Sequence, residues 1–157
     1  MTRTILAATT ALALTATAAF AGDDKATVQI FYDLLSNPGS ETHTEAFTKV
    51  VADDWESVGS YVEDPNTKDG FLGLMGAFSQ LVPNIDWKVE AMHQDGNFVT
   101  VRSRATGTPA GEFFGVNGEG RSFDIQTIDI HELKDGVIVR SYHVEDWAGA
   151  LQQLSGS

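Results

Sequence analysis

The sequence contains no cysteine and few basic residues. Without cysteine it can form no disulfide bond, thiolate metal site or thiol nucleophile. Its 10 lysines and arginines stand against 22 aspartates and glutamates, which gives a formal net charge of −12 at pH 7. Binding to nucleic acid or to anionic lipid requires concentrated positive charge. The composition therefore excludes a nucleic-acid-binding protein and a polybasic membrane anchor.

The remaining composition is that of a globular domain. Hydrophobic residues make up 42% and charged residues 20% of the 157 residues, which is enough for one well-packed core. There is no internal repeat, low-complexity tract or linker. We therefore expect one domain after the N-terminal segment.

The first 21 residues have the features of a secretory signal peptide. Arg3 is followed by an apolar, threonine-diluted run that ends in Ala19-Phe20-Ala21. An uncleaved membrane anchor is the alternative, but the run is short and an acidic segment follows it. We expect residues 1–21 to be removed after Ala21, leaving residues 22–157 periplasmic or secreted and free of the membrane. Nucleotide cofactors are scarce there, which favours chemistry without a cofactor.

The first half of the mature chain has helical spacing. Asp23 or Asp24 can cap a first helix that ends at Asn37-Pro38-Gly39, and Thr44 can cap a short second one. A loop is predicted from Asp53 to Tyr61. Thr67 opens a third helix, which stops before Pro83.

The second half changes to alternation of apolar and polar residues, which is typical of strands. Long strands are predicted on either side of Asp95-Gly96-Asn97 and of the hairpin turn Lys134-Asp135-Gly136. Asp146 can cap a short last helix. Helices followed by antiparallel strands predict an α+β fold. We expect a cone-shaped barrel, in which three N-terminal helices pack on a curved, mainly antiparallel sheet of about four to six strands, with a short C-terminal helix.

Three segments together resemble the SnoaL-like polyketide cyclases (ester cyclases) of the nuclear-transport-factor-2-like superfamily. They are the stretch RATGTPAGEFFGVNGEGR at residues 104–121, DGVIVRSYHVED at residues 135–146, and ALQQL at residues 150–154. The resemblance covers about residues 24–154. It implies the cone-shaped fold and ring closure by intramolecular aldol condensation, without a metal or cofactor.

The family's acid/base aspartate matches Asp146. Two family positions differ, because Pro109 replaces a histidine and Tyr142 replaces a tryptophan. An aldol closure needs a group that removes and returns a proton, and a carboxyl group in an apolar cavity can do so. Tyr142, Val144 and Asp146 share one strand face by period two, which would supply an apolar wall. An aspartate between a strand and a helix is equally well explained as an N-cap.

Histidines occupy two adjoining strands. A neutral His131 could donate a hydrogen bond to a forming enolate, and His143 could contact the substrate. Structural roles remain the alternative for both. His143 and Glu145 have ligand spacing but no third ligand nearby, so we expect no metal.

The substrate contacts are expected from basic and aromatic side chains. Arg104 could hold a carboxylate or carbonyl group, although pairing with a local acid such as Asp124 or Asp129 is the simpler alternative. Most aromatic residues belong to the core, and Tyr32 and Trp55 are the candidates for a pocket that binds a flat apolar ligand.

These features favour a cofactor-free cyclase or isomerase that acts on a small apolar or aromatic carbonyl compound. Catalysis is assigned to Asp146 and His131, and substrate binding to Tyr32, Trp55, Arg104, Tyr142 and His143. A periplasmic binding module for an apolar small molecule is the first alternative. A dimerisation or interaction domain is the second, and the resemblance also implies a homodimer or higher homo-oligomer.

Overall fold

The structure is a computed structural model that describes residues 24–156. The predicted signal peptide, residues 1–21, lies outside the described residues. Four helices are present: α1 (Asp24–Ser36), α2 (Glu41–Val50), α3 (Lys68–Leu81) and α4 (Trp147–Ser155). Eight strands are present in the same range: β1 (Val51–Val58), β2 (Asn66–Thr67), β3 (Asp86–Asp95), β4 (Phe98–Gly107), β5 (Glu112–Phe113), β6 (Val116–Asn117), β7 (Phe123–Lys134) and β8 (Val137–Glu145).

Six strands form one sheet in the order β2-β1-β8-β7-β4-β3. All neighbours are antiparallel except β1 and β8, which run parallel. A small separate hairpin joins β5 to β6. Helices α1 and α3 cover one face of the sheet, so the predicted α+β fold is confirmed. In this described part of the chain, no helix is long and apolar enough to span a membrane.

Capping residues in the sequence determine where two of the helices begin. The side chain of Thr67 accepts a hydrogen bond from the Gly70 N–H, as the sequence predicts for the start of α3. Helix α2 begins earlier than predicted, because Ser40 rather than Thr44 is its N-cap. The prediction of a loop from residue 53 is wrong, because β1 continues through it with an irregular register before Glu56.

The core lies between the helices and the inner face of the sheet. The rings of four residues pack against one another with centroids 5.3–5.9 Å apart, which joins α1, α2, α3 and β1: Phe31, Phe47, Trp55 and Phe71. Strand β7 alternates strictly, so that every second residue from Phe123 to Leu133 is buried. The odd-numbered residues of β7 therefore point into the interior, and the even-numbered ones point away from it.

A buried lysine fastens α3 to the end of α2. The Lys68 ammonium group donates hydrogen bonds to the carbonyl oxygens of Thr48 (3.0 Å) and Val51 (2.8 Å), and to the carboxylate of Asp53 (3.0 Å). Both carbonyls lie at the C-terminal end of α2, where helix carbonyls have no partner within the helix. One cation therefore satisfies acceptors that the helix itself leaves open.

Replacing Lys68 with methionine should lower the free energy of unfolding by about 2–3 kcal/mol, because two carbonyl acceptors lose a charged donor. Chemical denaturation at pH 7 measures the loss. Lys49→Met, at an exposed site on α2, is the matched control and should change stability by less than about 0.5 kcal/mol. Equal stability of the two variants would contradict this role of Lys68.

Candidate active site

Strand β7 carries polar side chains inward and apolar ones outward at its centre. Thr127, Asp129 and His131 are buried, whereas Ile128 and Ile130 on the opposite face are more than a third exposed. This reverses the usual alternation, since burial of polar groups is unfavourable unless they are hydrogen-bonded. Such an inversion indicates a buried polar cluster, here named the inner cluster: Tyr32, Thr127, Asp129, His131, Ser141, His143 and Glu145.

Tyr32 of α1 joins the two ionisable groups of β7. Its hydroxyl group donates a hydrogen bond to Oδ2 of Asp129 at 2.7 Å and lies 3.1 Å from Nε2 of His131. All three side chains are almost completely buried. A carboxyl, a phenol and an imidazole are thus held in direct contact within the core.

Two hydrogen-bond chains lead from tryptophans into this contact. The Trp55 indole N–H donates to Oγ of Ser141 at 3.1 Å, and the same oxygen lies 2.8 Å from Nδ1 of His131. On the other side, the Trp87 indole N–H donates to Oγ of Ser103 at 2.8 Å. Ser103 lies 2.5 Å from Thr127, whose hydroxyl oxygen is 3.5 Å from Oδ2 of Asp129.

Strand β8 adds a hydrogen-bonded histidine–glutamate pair to the cluster. His143 is the direct cross-strand partner of Asp129, and its Nδ1 donates a hydrogen bond to Oε1 of Glu145 at 2.8 Å. Directly opposed side chains in an antiparallel pair have Cβ atoms about 4.5–5.5 Å apart. The His143 side chain is 29% exposed and is therefore reached by solvent, unlike Asp129.

Burial shifts the acid/base properties of the cluster. It raises the pKa of Asp129 to about 7, with the nearby charge of Glu145 adding to the rise and the Tyr32 hydrogen bond opposing it. Burial also lowers the pKa of His131 to about 3, so this ring is neutral at physiological pH. The hydrogen bond to Glu145 raises the pKa of His143. Near neutral pH, Asp129 can therefore both accept and release a proton.

Apolar surfaces lie on both sides of the cluster. At the Thr127 end, Trp87 contacts Trp147 of α4 at 6.3 Å between centroids, and Trp147 in turn contacts Phe78, Phe113, Phe114 and Phe123. On the outer face of the sheet, a cavity of about 350 Å³ borders His143. It is lined by Val58, Gly59, Ser60, Tyr61, Ile128, Ile130, Tyr142 and Val144 in addition to His143.

Gly59 leaves room for the His143 ring. A Cβ atom at position 59 would lie 2.7 Å from Cε1 and 2.9 Å from Nε2 of His143, closer than side chains approach one another. The absence of a side chain where β1 ends therefore permits the observed position of this histidine.

Gly59→Ala should displace the His143 ring and weaken its hydrogen bond to Glu145. Because that bond raises the pKa of His143, its pKa should fall. An NMR titration of the His143 ring protons measures the change. Gly73→Ala, in open space on α3, is the matched control and should leave the titration unchanged. An unaltered His143 pKa in Gly59→Ala would show that the ring does not depend on this gap.

The model of the SnoaL-like polyketide cyclase family matches residues 26–154. The chain belongs to this family. No curated protein is similar enough to the sequence to count as a match.

Solved structures share the fold of this SnoaL-like chain. IdmH from Streptomyces antibioticus, provisionally described as a polyketide cyclase, has a TM-score of 0.71 and 24% identity, covering 83% of this chain and 97% of IdmH. A SnoaL-like protein from Jannaschia sp. CCS1 has a TM-score of 0.73 and 18% identity, over 85% and 92% of the two chains. A protein from Bacillus cereus ATCC 10987, provisionally described as a polyketide cyclase, has 26% identity and a TM-score of 0.66, over 82% and 77% of the two chains. These structures support the cone-shaped α+β fold.

Asp146, the aspartate matched through the resemblance, lies apart from the inner cluster. Its side chain is exposed, and its Oδ1 accepts a hydrogen bond from the Gly149 N–H at the start of α4. Tyr142 and Val144 do line an apolar cavity on the outer face of the sheet, but Asp146 is not among its lining residues. The structure contradicts the expected cavity at Asp146 and agrees with the alternative, a helix N-cap.

The other predicted site residues divide into two groups. Tyr32, His131 and His143 meet in the inner cluster, and Trp55 joins it through Ser141. Tyr142 lines the cavity on the outer face of the sheet instead. Arg104 lies on that outer face as well and forms a bidentate pair with Asp124, which is the simpler alternative considered from the sequence.

Asp129 and Glu145 are site residues that are not among those predicted from the sequence. The sequence suggests Asp129 only as a partner for an arginine. On β7, however, its side chain lies on the same face as those of the buried Phe123 and Ile125. A polar residue in the alternating positions that otherwise carry core residues is the signal that identifies Asp129.

The sequence predicts no metal site. Residues 24–156 contain no group of three histidine, aspartate or glutamate side chains placed to hold an ion.

Proposed function

We propose that the protein is a cofactor-independent cyclase or isomerase that acts on a small apolar or aromatic carbonyl compound, with Asp129 as its acid/base. The observation that carries the proposal is the buried Asp129 carboxyl group, hydrogen-bonded to Tyr32 and set opposite the His143–Glu145 pair. Membership of the SnoaL-like family supports the reaction class. The aromatic side chains around Trp147 support an apolar or aromatic ligand.

The proposed reaction is a proton transfer followed by ring closure. The Asp129 carboxylate removes a proton from the carbon next to a carbonyl, and the C–H electron pair becomes the C=C bond of an enolate. Protonated His143 donates a hydrogen bond to the enolate oxygen. In a cyclisation the enolate carbon then attacks a second carbonyl of the same molecule, and the new alkoxide takes the proton from Asp129. In an isomerisation the proton returns to a different carbon.

The electrostatics of the cluster suit these roles. A base with a pKa near the working pH is efficient in both directions of proton transfer. The hydrogen bond to Glu145 raises the pKa of His143, which favours the protonated ring that this role requires. Neutral His131 does not compete for the substrate proton; in this proposal it holds Tyr32 rather than acting on the substrate.

Exchange of substrate hydrogen with solvent deuterium tests the proposal before the natural substrate is known. A panel of aromatic β-keto esters in deuterated buffer is followed by NMR. The parent should exchange the acidic C–H at least 100-fold faster than Asp129→Asn on one or more members of the panel. Asp124→Asn, on the outer face of the same strand, is the matched control and should keep the parent rate. Equal rates for the parent and Asp129→Asn on every ligand that binds would exclude Asp129 as the base.

The depth of Asp129 favours a second candidate, a binding module that makes no bonds. Only 3% of its surface is exposed, so a ligand could occupy the His143 cavity without reaching it. Calorimetry on the same panel distinguishes the two candidates. Stoichiometric binding of a ligand whose C–H does not exchange would favour the binding module, and exchange would eliminate it.

We also propose two properties implied by the sequence and the resemblance. The exposed side chains of Ile128, Ile130 and Val144, which also line the His143 cavity, form an apolar strip on the outer sheet face that a second copy of the chain could cover in place of a ligand. Light scattering should then give a dimer mass that Ile130→Glu reduces to that of a monomer. Secretion with cleavage after Ala21 predicts an N-terminus at Gly22, which intact-mass measurement of the exported protein would show.

A further inference from the structure

The direction of the hydrogen bonds around Asp129 follows from the chemistry of their outermost donors. An indole N–H can donate a hydrogen bond but cannot accept one. Trp55 and Trp87 therefore each begin a chain whose first bond has only one possible direction. Both chains end on the same atom, Oδ2 of Asp129.

The Trp55 chain runs from Trp55 through Ser141, His131 and Tyr32 to Asp129. Only one arrangement of its protons gives every donor an acceptor. Ser141 accepts from the Trp55 indole, so its own O–H is free to donate to Nδ1 of His131. The His131 proton is then on Nε2 and is donated to the Tyr32 oxygen, and the Tyr32 O–H is donated to Asp129. The reverse arrangement would place the His131 proton on Nδ1, leaving the Ser141 hydroxyl proton without an acceptor among the described residues. A buried hydroxyl proton without an acceptor loses the hydrogen bond that water would supply, so this arrangement is disfavoured.

The Trp87 chain is directed in the same way. The indole N–H points between two acceptors, Oγ of Ser103 at 2.8 Å and Oγ1 of Thr127 at 3.3 Å. Ser103 donates its own proton to Thr127, which leaves the Thr127 O–H to donate to Asp129. If Thr127 donated to Ser103 instead, the Ser103 proton would have no acceptor within residues 24–156. Both chains therefore present hydrogen-bond donors to Oδ2.

Oδ1 of Asp129 has a different environment. The hydrogen bonds of the described residues involve only Oδ2 of this carboxyl group. A proton added to Oδ2 would have to reverse at least one chain, whereas a proton added to Oδ1 disturbs neither. The two oxygens of one carboxyl group are thus chemically distinct.

We propose that Trp55 and Trp87 are positioning residues, whose indole N–H groups keep Oδ2 of Asp129 a permanent hydrogen-bond acceptor and make Oδ1 the atom that takes and returns the proton. This inference rests on the proposed function for its catalytic meaning, but the direction of the chains can be measured without a substrate.

Several charged or titratable groups face Asp129 and enter the design of the test. Tyr32 approaches it from α1, His131 lies two residues along β7, and His143 and Glu145 face it from β8. Strands β3 and β4 contribute the uncharged Trp87 and Ser103. His131 stays neutral above about pH 3, so its tautomer reports the direction of the Trp55 chain across the accessible pH range.

The test is the tautomer of His131, read from its ¹⁵N chemical shifts between pH 5 and pH 9. We expect the proton on Nε2 throughout, because protonation of Asp129 at Oδ1 leaves the chain unreversed. A tautomer change with the same midpoint as the Asp129 carboxyl titration would show protonation at Oδ2. A proton on Nδ1 at all pH values would show the opposite chain direction. Either result would overturn the proposal.

Two variants separate positioning from simple packing. In Trp55→Phe, the Ser141 proton is no longer committed to His131, so the tautomer should become mixed or pH-dependent. Trp87→Phe is the matched control for that readout, because its chain does not include His131. In both variants the Asp129 midpoint should rise, by roughly one pH unit, as a donor to the carboxylate is weakened.

A purely structural role predicts lower stability with an unchanged tautomer and midpoint, and that result would contradict the proposal. Thr127→Val, which removes one donor from Oδ2, provides the same midpoint test should a tryptophan variant fail to fold. If the chain directions are as expected but no ligand exchanges its C–H, the proposed function fails while the assignment of the two oxygens stands.

Discussion

Replacing Asp129 with asparagine should make the protein more stable at pH 8 while removing its acid/base group. In the folded protein the pKa of Asp129 is raised to about 7 from an ordinary value of 3.8. The folded state therefore binds the proton more tightly than the unfolded state. The resulting stability is fully present below pH 3.8 and is lost as the pH rises through 7, a loss of roughly 4 kcal/mol. Asparagine does not ionise, so the variant does not lose this stability as the pH rises.

The measurement is a pair of urea denaturation series at pH 5 and pH 8. The stability of Asp129→Asn relative to the parent should increase by roughly 2–3 kcal/mol between the two pH values. The comparison across pH cancels the constant cost of placing an amide in the cluster. Asp124→Asn should show no comparable change, because Arg104 lowers the pKa of that exposed carboxyl and both pH values lie above it. A parallel pH dependence for Asp129→Asn and the parent would show that Asp129 titrates normally.

Replacing Tyr32 with phenylalanine should have the opposite effect on stability. The change removes the hydroxyl group between Oδ2 of Asp129 and Nε2 of His131, so two buried polar groups lose a partner. We expect the free energy of unfolding to fall by about 2–4 kcal/mol. Loss of the donor should also raise the pKa of Asp129 further, because the Tyr32 hydrogen bond lowers it.

Chemical denaturation measures the loss of stability, and the pH profile of deuterium exchange measures the shift of Asp129. The rising limb of that profile should move to higher pH by roughly one unit. Tyr61→Phe, at a tyrosine that is 98% exposed, is the matched control for stability and should be nearly neutral. A Tyr32→Phe protein as stable as the parent would show that the hydroxyl group is not part of the buried network.

The two variants alter opposite ends of one hydrogen bond, and the opposite signs distinguish a functional site from ordinary packing. A core residue selected for stability loses stability when either partner is removed. A buried carboxyl group destabilises the ionised folded state, and such groups are typical of sites that use the charge.

The sequence was sufficient for the fold because its local signals agree. The Thr67 cap, the Asp135-Gly136 turn and the alternation on β7 each favour the element that forms. Strand β1 was missed because Asp53 and Asp54 interrupt its apolar pattern and remain exposed. Its pairing comes from β8, more than 80 residues along the chain, which no local pattern reveals.

The site could be predicted only in part. The side chains of Tyr32, His131 and His143 carry recognisable chemistry and were selected for that reason. Asp129 is not among them, because the preference of acidic residues for ion pairs predicts a bond to an arginine. The alternation of the strands excludes that pairing, because Asp129 faces inward whereas Arg104 lies on the outer face, where it pairs with Asp124. The contact of α1 with β7 and β8 forms the cluster, and it joins residues as far apart as Tyr32 and Asp129, 97 positions along the chain, so spacing alone cannot predict it.

The most direct test of this account is the titration of the Asp129 carboxyl carbon in protein labelled with ¹³C at aspartate, followed by NMR from pH 3 to pH 9 and assigned with Asp129→Asn. Burial opposite His143 and Glu145 predicts a midpoint close to 7. A midpoint below 5 would show an ordinary surface-like carboxylate and would contradict the acid/base role of the inner cluster.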